Sequence, residues 1–234
     1  MPSLIIKNFE LGMSQSNIQH ITLSPGEKRE LVFLNEPNVD WHITQQEGSS
    51  LLLHVIALPN PEFATTQQQA TITVEHAAKG CRTEIYGLGL LHGNQRCDVI
   101  TRVLHNVGEG YSSQLIKMVL DDESKASFKG ELKIMPDAQH VEAYQTNRNI
   151  LLSRQAEMIT EPQLEIYADD VKASHGATTG QLDESALFYM QQRCVGRETA
   201  RKLLLCAFFD DVLRTLPDEQ MQQRLLEKIN EYID

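Results

Sequence analysis

The sequence predicts a mainly β body followed by a short α-helical segment. Residues from about 21 to 175 contain short runs rich in Val, Ile, Leu, Thr and Tyr, separated by Gly, Asn, Asp or Pro. Apolar and polar residues alternate strictly in 98–103 and 164–167, as in a half-buried strand. From Asp183 onward, apolar residues instead recur every three or four positions, which is the helical period. We therefore expect a β body over residues 1–182 and a helical segment over 183–234.

The predicted strands recur roughly every 10–14 residues. They span 31–34, 50–57, 70–76, 83–91, 97–105, 112–120, 126–134, 141–146 and 163–167, with turn signals at Gly93-Asn94, Gly108-Glu109-Gly110 and Asp121-Asp122. No run among them has the length and period of the crossover helices that parallel strands need in an α/β sheet. The pattern leaves open an antiparallel sandwich or barrel, which is the commoner architecture, and a β-helix solenoid.

The helical segment has start and stop signals of its own. Asp183 is the predicted N-cap of a first helix, and Gly196 is its predicted stop. A second helix is predicted over 198–216, and Pro217 suits the first position of a third. The apolar stripes of the last two helices are Ala200, Leu203, Leu204, Ala207, Phe208, Val212 and Leu216, and then Met221, Leu225, Leu226, Ile229 and Ile233. A segment of about 50 residues buries little by itself, so it has to pack on the body, on a partner or on both.

Composition excludes several classes of protein. The 234 residues include 21 Lys and Arg against 32 Asp and Glu, and a net charge of -11 argues against binding to nucleic acid or anionic membranes. The N-terminal apolar run is too short for a signal peptide, and no run reaches the ~20 residues of a membrane span. Cys81, Cys97, Cys194 and Cys206 form no CxxC pair. We expect a soluble cytoplasmic protein with reduced cysteines, of which Cys194 is exposed and the others are small buried residues.

Several short motifs occur in a specific order between about residues 80 and 217. They are Thr83–Leu88, His105-Asn106, Gly130, Gln145–Ser153, Glu161–Ile166, Asp169–Lys172, Ser174–Thr178, Gly180, Leu182-Asp183 and Leu187–Met190. In this combination the chain resembles the SufB/SufD family of iron–sulfur cluster assembly proteins, on the SufD side of that family. The resemblance implies a right-handed parallel β-helix with a C-terminal helical segment. A β-helix joins parallel strands by short corners, so it needs no helical crossovers.

The resemblance also implies partners. A SufB-like subunit would pair with this chain through its β-helix, and the ATPase SufC would bind the C-terminal helices. ATP-driven dimerisation of SufC would then reshape the SufB–SufD interface, where clusters are assembled. The chain itself would be a non-catalytic subunit that holds no cofactor stably, with iron or a nascent Fe–S cluster as transient cargo. The candidate contacts for the SufC-like ATPase are Leu187, Phe188, Arg201, Leu204, Phe208 and Phe209.

His175 matches the SufD histidine linked to iron acquisition and cluster assembly. Neutral imidazole binds Fe²⁺ through one nitrogen while an acceptor holds the other N–H, but one histidine without a thiolate is an incomplete site. Arg148 falls where SufB carries its assembly cysteine, and Ala173 falls where many SufD chains have Cys. The remaining ligands would therefore come from a partner. The sequence pattern alone predicts only that His175 is a surface imidazole at the strand-to-helix junction.

Two further functions remain open at this point. A β-helix can be a carbohydrate hydrolase or lyase, for which Asp169 and Asp170 would be the paired carboxylates. Adjacent strand residues point to opposite faces, however, so a solvated turn is expected there, as at Asp121-Asp122. The other alternative is a homodimeric structural module without iron chemistry, since a β-helix exposes sheet edges at its ends.

Overall fold

The computed structural model describes residues 3–8, 18–36, 38–58 and 67–232, with only the backbone described for residues 3–8. Its strands form a 7-stranded and a 6-stranded sheet, and neighbouring strands in both sheets run parallel. The strands are β1 (Ser3–Asn8), β2 (Gln19–Leu23), β3 (Lys28–Leu34), β4 (Asn38–Gln45), β5 (Ser50–Ala57), β6 (Gln67–His76), β7 (Arg82–Leu91), β8 (Arg96–His105), β9 (Tyr111–Leu120), β10 (Lys125–Ile134), β11 (Val141–Leu151), β12 (Glu157–Ile166) and β13 (Val171–Gly180). Consecutive strands alternate between the two sheets, so the chain winds as a coil.

Residues in the same register of successive turns lie beside one another. Lys172 of β13 and Glu142 of β11 are register partners 30 positions apart, and their side chains form an ion pair of 2.8 Å. The described strands thus form a parallel β-helix, which confirms the expected solenoid. The parallel pairing excludes the antiparallel sandwich or barrel. Where every residue of a connection is described, a short corner joins the two sheets, and residues with positive φ allow the chain to turn there, as Gly93 and Asp122 do at two predicted turns.

All the predicted strands occur, but their bounds differ in places. β11 continues to Leu151 and β12 begins at Glu157, so both are longer than their apolar patterns predict. The pattern does not predict β1, β2, β4 or β13. β13 escapes prediction because Ala173, Ser174 and Gly176 are small, whereas strand signals depend on β-branched and aromatic side chains.

One face of each strand closes on the interior of the coil. Every second residue of β8 and β10 is buried, as alternation requires. The buried apolar side chains of both sheets form one core that includes Leu53, Ile72, Phe128 and Leu132. Burial of such a side chain stabilises the fold by about 1.5–3 kcal/mol. This core holds the turns of the coil in register.

The interior also contains two imidazoles in contact with each other. The ring centroids of His76 and His105 are 4.4 Å apart, edge to face, and their Nε2 atoms each lie 2.8 Å from a hydroxyl, of Thr83 and Ser112 respectively. The Thr83 hydroxyl donates to Gln45, so His76 donates through Nε2–H and its Nδ1 carries no proton. Burial lowers the pKa of His105 to about 4 and holds the pKa of His76 well below its usual value. Both rings are therefore neutral at pH 7.

Three helices follow the last strand: α1 (Glu184–Gln191), α2 (Arg197–Leu213) and α3 (Glu219–Tyr232). The predicted cap is confirmed, because the Asp183 carboxylate accepts from the backbone N–H groups of Ser185 and Ala186. The Ser185 hydroxyl also donates to this carboxylate, and its hydrogen bond, followed by those of the two backbone N–H groups, lowers the pKa of Asp183. None of the described helices is long and apolar enough to cross a membrane.

Three helix boundaries differ from those predicted. The second helix ends at Leu213, whereas the pattern predicts it to residue 216. Gly196 does not stop the first helix. That helix ends at Gln191, and Gly196 instead immediately precedes α2, after Cys194 turns the chain with a φ of 63°. Pro217 lies outside α3, because Asp218 provides the cap by accepting from the Gln220 N–H at 3.0 Å. The predicted stripe residue Ile233 lies outside the described residues.

The helices cover the outer face of the 7-stranded sheet. A second apolar cluster joins outward-facing strand residues to α2 and α3, and it comprises Val32, Ile56, Leu58, Leu88, Leu90, Val119, Leu205, Phe209, Val212, Leu213, Leu216, Leu225 and Ile229. Buried Lys117 of β9 donates to the Phe208 carbonyl oxygen at 2.5 Å and to Asp211 at 2.6 Å. His54 of β5 makes a 2.9 Å hydrogen bond to the Thr215 hydroxyl. The helical segment thus packs on the strand body, which is one of the alternatives that the sequence leaves open.

Candidate functional site

His175 lies on β13, where the 7-stranded sheet ends. Among the described strands β13 pairs only with β11, and its residues from Ser174 to Gly180 are exposed. β12 is likewise the last strand of the 6-stranded sheet. The interior of the coil is therefore open at this end, and His175 stands beside the opening.

The imidazole of His175 belongs to the inward-facing series of β13. Register pairs His175 with Gln145 of β11, which is buried, and stacked residues of neighbouring parallel strands share a face. Four positions further along the same face, the buried Asn149 amide donates to the Thr179 hydroxyl at 3.2 Å. This contact confirms that the register partners on β11 and β13 lie on the same face of the sheet. His175 consequently stands above Gln145 at the end of the coil.

The interior beneath His175 is polar. Gln145 is only 2% exposed, and neither its Nε2 nor its Oε1 has a hydrogen-bond partner among the described residues. The buried Thr160 hydroxyl of β12 also lacks one among those residues. Gly130 of β10 leaves room for the amide, since a Cβ at this position would overlap Gln145 Nε2. Gln145 and Gly130 belong to the sequence motifs, but no local pattern relates them to His175. Their position beneath His175 is recognised only when Gln114, Gln145 and His175, which are register partners in successive turns, are aligned with one another.

The described residues do not complete a metal site around His175. They contain no group of three or more His, Cys, Asp or Glu side chains placed to hold a metal ion. Cys81 and Cys97 are buried as predicted, Cys206 is half-buried and Cys194 is exposed, and all four thiols are free. Burial raises the pKa of Cys97 to about 12, which keeps that thiol protonated. A metal ion bound by His175 would need its other ligands from outside the described residues.

Arg148 and His175 lie on opposite faces of the same sheet. Arg148 pairs in register with Lys117 and belongs to the outward-facing series of β11. Its positive charge helps to lower the pKa of Asp211 on α2, after the larger effects of the Lys117 hydrogen bond and charge. Arg148 is therefore part of the helix-covered face and does not line the opening at His175.

The paired carboxylates lie at corners, as expected. The Asp170 Oδ2 atom lies 2.9 Å from the His140 Nδ1 atom, and Asp169 beside it is exposed. At the other corner, Asp121 accepts from Arg201 at 2.8 Å, while Asp122 accepts from a backbone N–H. These contacts are those of solvated turns.

The residues predicted to contact an ATPase are distributed over two faces of α1 and α2. Leu187 and Phe209 are buried within the chain, Leu204 and Phe208 are half-buried, and half-buried Arg201 pairs with Asp121. Phe188, in contrast, is 62% exposed. Tyr189 and Leu203 are also exposed, although neither is among the predicted contacts for the ATPase.

Comparison with known proteins agrees with this geometry. The model of the SUF system FeS cluster assembly SufBD core domain matches residues 39–208. The chain therefore belongs to the SufB/SufD family. Its likeness within that family is to SufD: it is 38% identical over 138 residues to the iron–sulfur cluster assembly protein SufD of Escherichia coli (strain K12). The resemblance recognised in the motifs is thus confirmed.

The aligned regions cover different shares of the proteins compared. The match to E. coli SufD includes 59% of this chain and 33% of that protein. An iron–sulfur cluster assembly SufBD family protein of Synechocystis is 38% identical over 62% of this chain and 32% of its own length. Protein ABCI7, chloroplastic, of Arabidopsis thaliana is 32% identical over 80% of this chain and 39% of its own length. The chain thus spans about a third of the length of the first two relatives.

Proposed function

We propose that the chain is a SufD-like scaffold subunit of an iron–sulfur cluster assembly complex. In this role His175 supplies one ligand to iron, or to a nascent cluster, at the interface with a SufB-like subunit. The observation that carries the proposal is the exposed imidazole at the open end of the coil, in a chain of the SufB/SufD family. Iron is cargo here, and the partner completes its coordination. The chain performs no covalent chemistry of its own.

β13 has the features of a strand that a partner covers. Its outer edge is free among the described strands, and residues 173–180 are small or uncharged apart from His175. Soluble proteins usually protect such edges with charged side chains, prolines or bulges, since exposed edges pair with other chains. A strand of the SufB-like subunit would extend the sheet by backbone hydrogen bonds and bring its own ligands beside His175. In isolation, a second copy of this chain would use the same edge to form a homodimer.

The helical segment provides the connection to a SufC-like ATPase. Phe188 and Tyr189 of α1 and Leu203 of α2 are exposed apolar residues, here called the exposed apolar surface, and their exposure supports docking there. α2 is tied to the 7-stranded sheet through Lys117 and Asp211. Movement of the ATPase would therefore be transmitted through α2 to the sheet that ends at β13.

Replacing His175 by Ala should lower iron loading of the complex roughly tenfold or more, because a ligand contributes at least as much as the groups that orient it. Assembly should be unchanged, since the imidazole is exposed. The measurement is metal analysis of the complex with SufB-like and SufC-like partners, purified without oxygen. Ser174→Ala is the matched control, because Ser174 is exposed but points to the opposite face. Wild-type iron content in the His175→Ala complex would refute the proposed ligand.

Replacing Gly176 by Lys should weaken binding of the SufB-like subunit by about tenfold or more, since a charge on an edge strand opposes pairing. A Cβ at Gly176 would meet no atom within 4 Å, so the isolated chain should keep its stability. Titration calorimetry and thermal unfolding measure the two effects separately. Gln69→Lys adds the same charge to an exposed position of β6, an inner strand of the other sheet, and should bind normally. Equal affinities for both variants would place the interface elsewhere.

A further inference from the structure

Gln145 stands out among the described buried side chains because both ends of its amide lack a partner. Its neighbour in the preceding turn, Gln114, has the same position in the sheet but a different environment. The Gln114 Oε1 accepts a 2.6 Å hydrogen bond from the Thr101 hydroxyl across the interior. In the next turn the register partner of Thr101 is Gly130, which has no hydroxyl to donate. The Gln145 acceptor is therefore left free where its counterpart is satisfied.

Geometry provides one neighbour for this acceptor. The register partner of Gln145 on the next strand is His175, and neighbouring strands lie about 4.8 Å apart, with their side chains stacked on the same face. The absence of a side chain at Gly130 lets the amide occupy the interior beneath the imidazole. A buried amide without a partner is costly, so a hydrogen bond to the ring above stabilises both groups.

We propose that Gln145 is a positioning residue for His175. The Gln145 Oε1 has no partner among the described residues, and a rotation of the exposed imidazole above it lets Oε1 accept the N–H of one ring nitrogen. This hydrogen bond fixes the tautomer and orients the ring, and the other nitrogen then presents its lone pair at the open end of the coil. A metal-binding histidine needs this arrangement, with the second N–H held by an acceptor. The hydrogen bond itself is independent of the ligand, whereas its consequence for iron rests on the proposed function.

The test uses nitrogen NMR of the imidazole in the isolated chain, where the shifts of both ring nitrogens report the tautomer. Gln145→Met keeps the length of the side chain and removes the acceptor, so both His175 ring nitrogens should shift toward the values of an unrestrained imidazole. Gln145→Glu keeps an acceptor and should retain the tautomer. Gln114→Met, one turn deeper, is the control and should leave the His175 signals unchanged. Identical His175 signals in wild type and Gln145→Met overturn the proposal.

A reciprocal variant keeps the test valid if Gln145→Met does not fold. His175→Ala changes an exposed residue, and it should move the side-chain amide signals of Gln145 while those of Gln114 stay in place. Unmoved Gln145 signals overturn the proposal. In the assembled complex, Gln145→Met should lower iron affinity about 10–100-fold with assembly intact. Changed nitrogen shifts with unchanged iron affinity would support the hydrogen bond and count against the iron role of His175. Failure of the hydrogen bond and failure of the iron role therefore give different results.

Discussion

Acidification from pH 7 to pH 5 should lower the free energy of unfolding by about 4 kcal/mol through His54 and His105 alone. Burial lowers the pKa of each from 6.5 to about 4 in the folded chain. The unfolded chain therefore binds more protons below pH 6.5, and stability falls as the pH decreases from 6.5 toward 4. Each histidine contributes about 2 kcal/mol of the loss at pH 5. His76, whose pKa is also held well below its usual value, adds to the loss in the same direction.

The contacts of these rings explain why protonation is unfavourable. His105 is packed edge-on against His76 inside the coil, and the Nδ1 atoms of both rings face Gly110. A proton at either Nδ1 would place a charge there without an acceptor among the described residues. His54 lies between the 7-stranded sheet and the helical segment, so its protonation would place a charge in a desolvated contact.

Urea unfolding followed by circular dichroism at several pH values measures the effect. The ion-paired carboxylates Glu142, Glu165 and Asp211 have pKa values lowered below their ordinary 4.5 or 3.8, so their contribution is lost mainly below pH 5. The window between pH 7 and pH 5 therefore isolates the histidines. His105→Gln should flatten the slope in this window. A free energy of unfolding that is the same at pH 7 and pH 5 would contradict neutral, buried imidazoles in the folded state.

Replacing Phe209 by Ala should cost about 3–5 kcal/mol, the usual loss for removing a fully buried aromatic side chain. Phe209 is 0% exposed and lies in the apolar cluster that holds α2 and α3 on the 7-stranded sheet. The cavity would form in the contact between the helices and the sheet. Because this contact fastens the helical segment, protease cleavage within residues 197–232 should also become faster than in the wild type.

Phe188→Ala is the matched control, since the same side chain is removed from a position that is 62% exposed. Its effect on the free energy of unfolding should stay within about 0.5 kcal/mol. Capture of a SufC-like ATPase should nevertheless weaken, because Phe188 belongs to the exposed apolar surface proposed for docking. Comparable destabilisation by both substitutions would contradict the burial of Phe209. Undiminished capture by the Phe188→Ala variant would move the docking surface away from α1.

Local patterns were sufficient for most of the individual elements. Alternation identifies β8 and β10 because one face of each closes on the core, and Asp183 identifies the start of α1 because its carboxylate satisfies free N–H groups. β13 lacks such a pattern, since its small residues lie at the end of the coil with little to bury. Periodicity also cannot distinguish a sandwich from a solenoid, because apolar and polar residues alternate in the same way along a strand of either architecture.

The sequence by itself determined the order of strands and helices, the family of the chain and the choice of His175 as the candidate ligand. Only the tertiary structure decided that His175 is the register partner of Gln145, that Arg148 faces the helices and that Phe209 is buried while Phe188 is exposed. The physical reason is the range of the interactions. Side-chain alternation and helix caps act between neighbours in the chain, whereas the stacking of turns joins residues about 30 positions apart through the packing of the whole core.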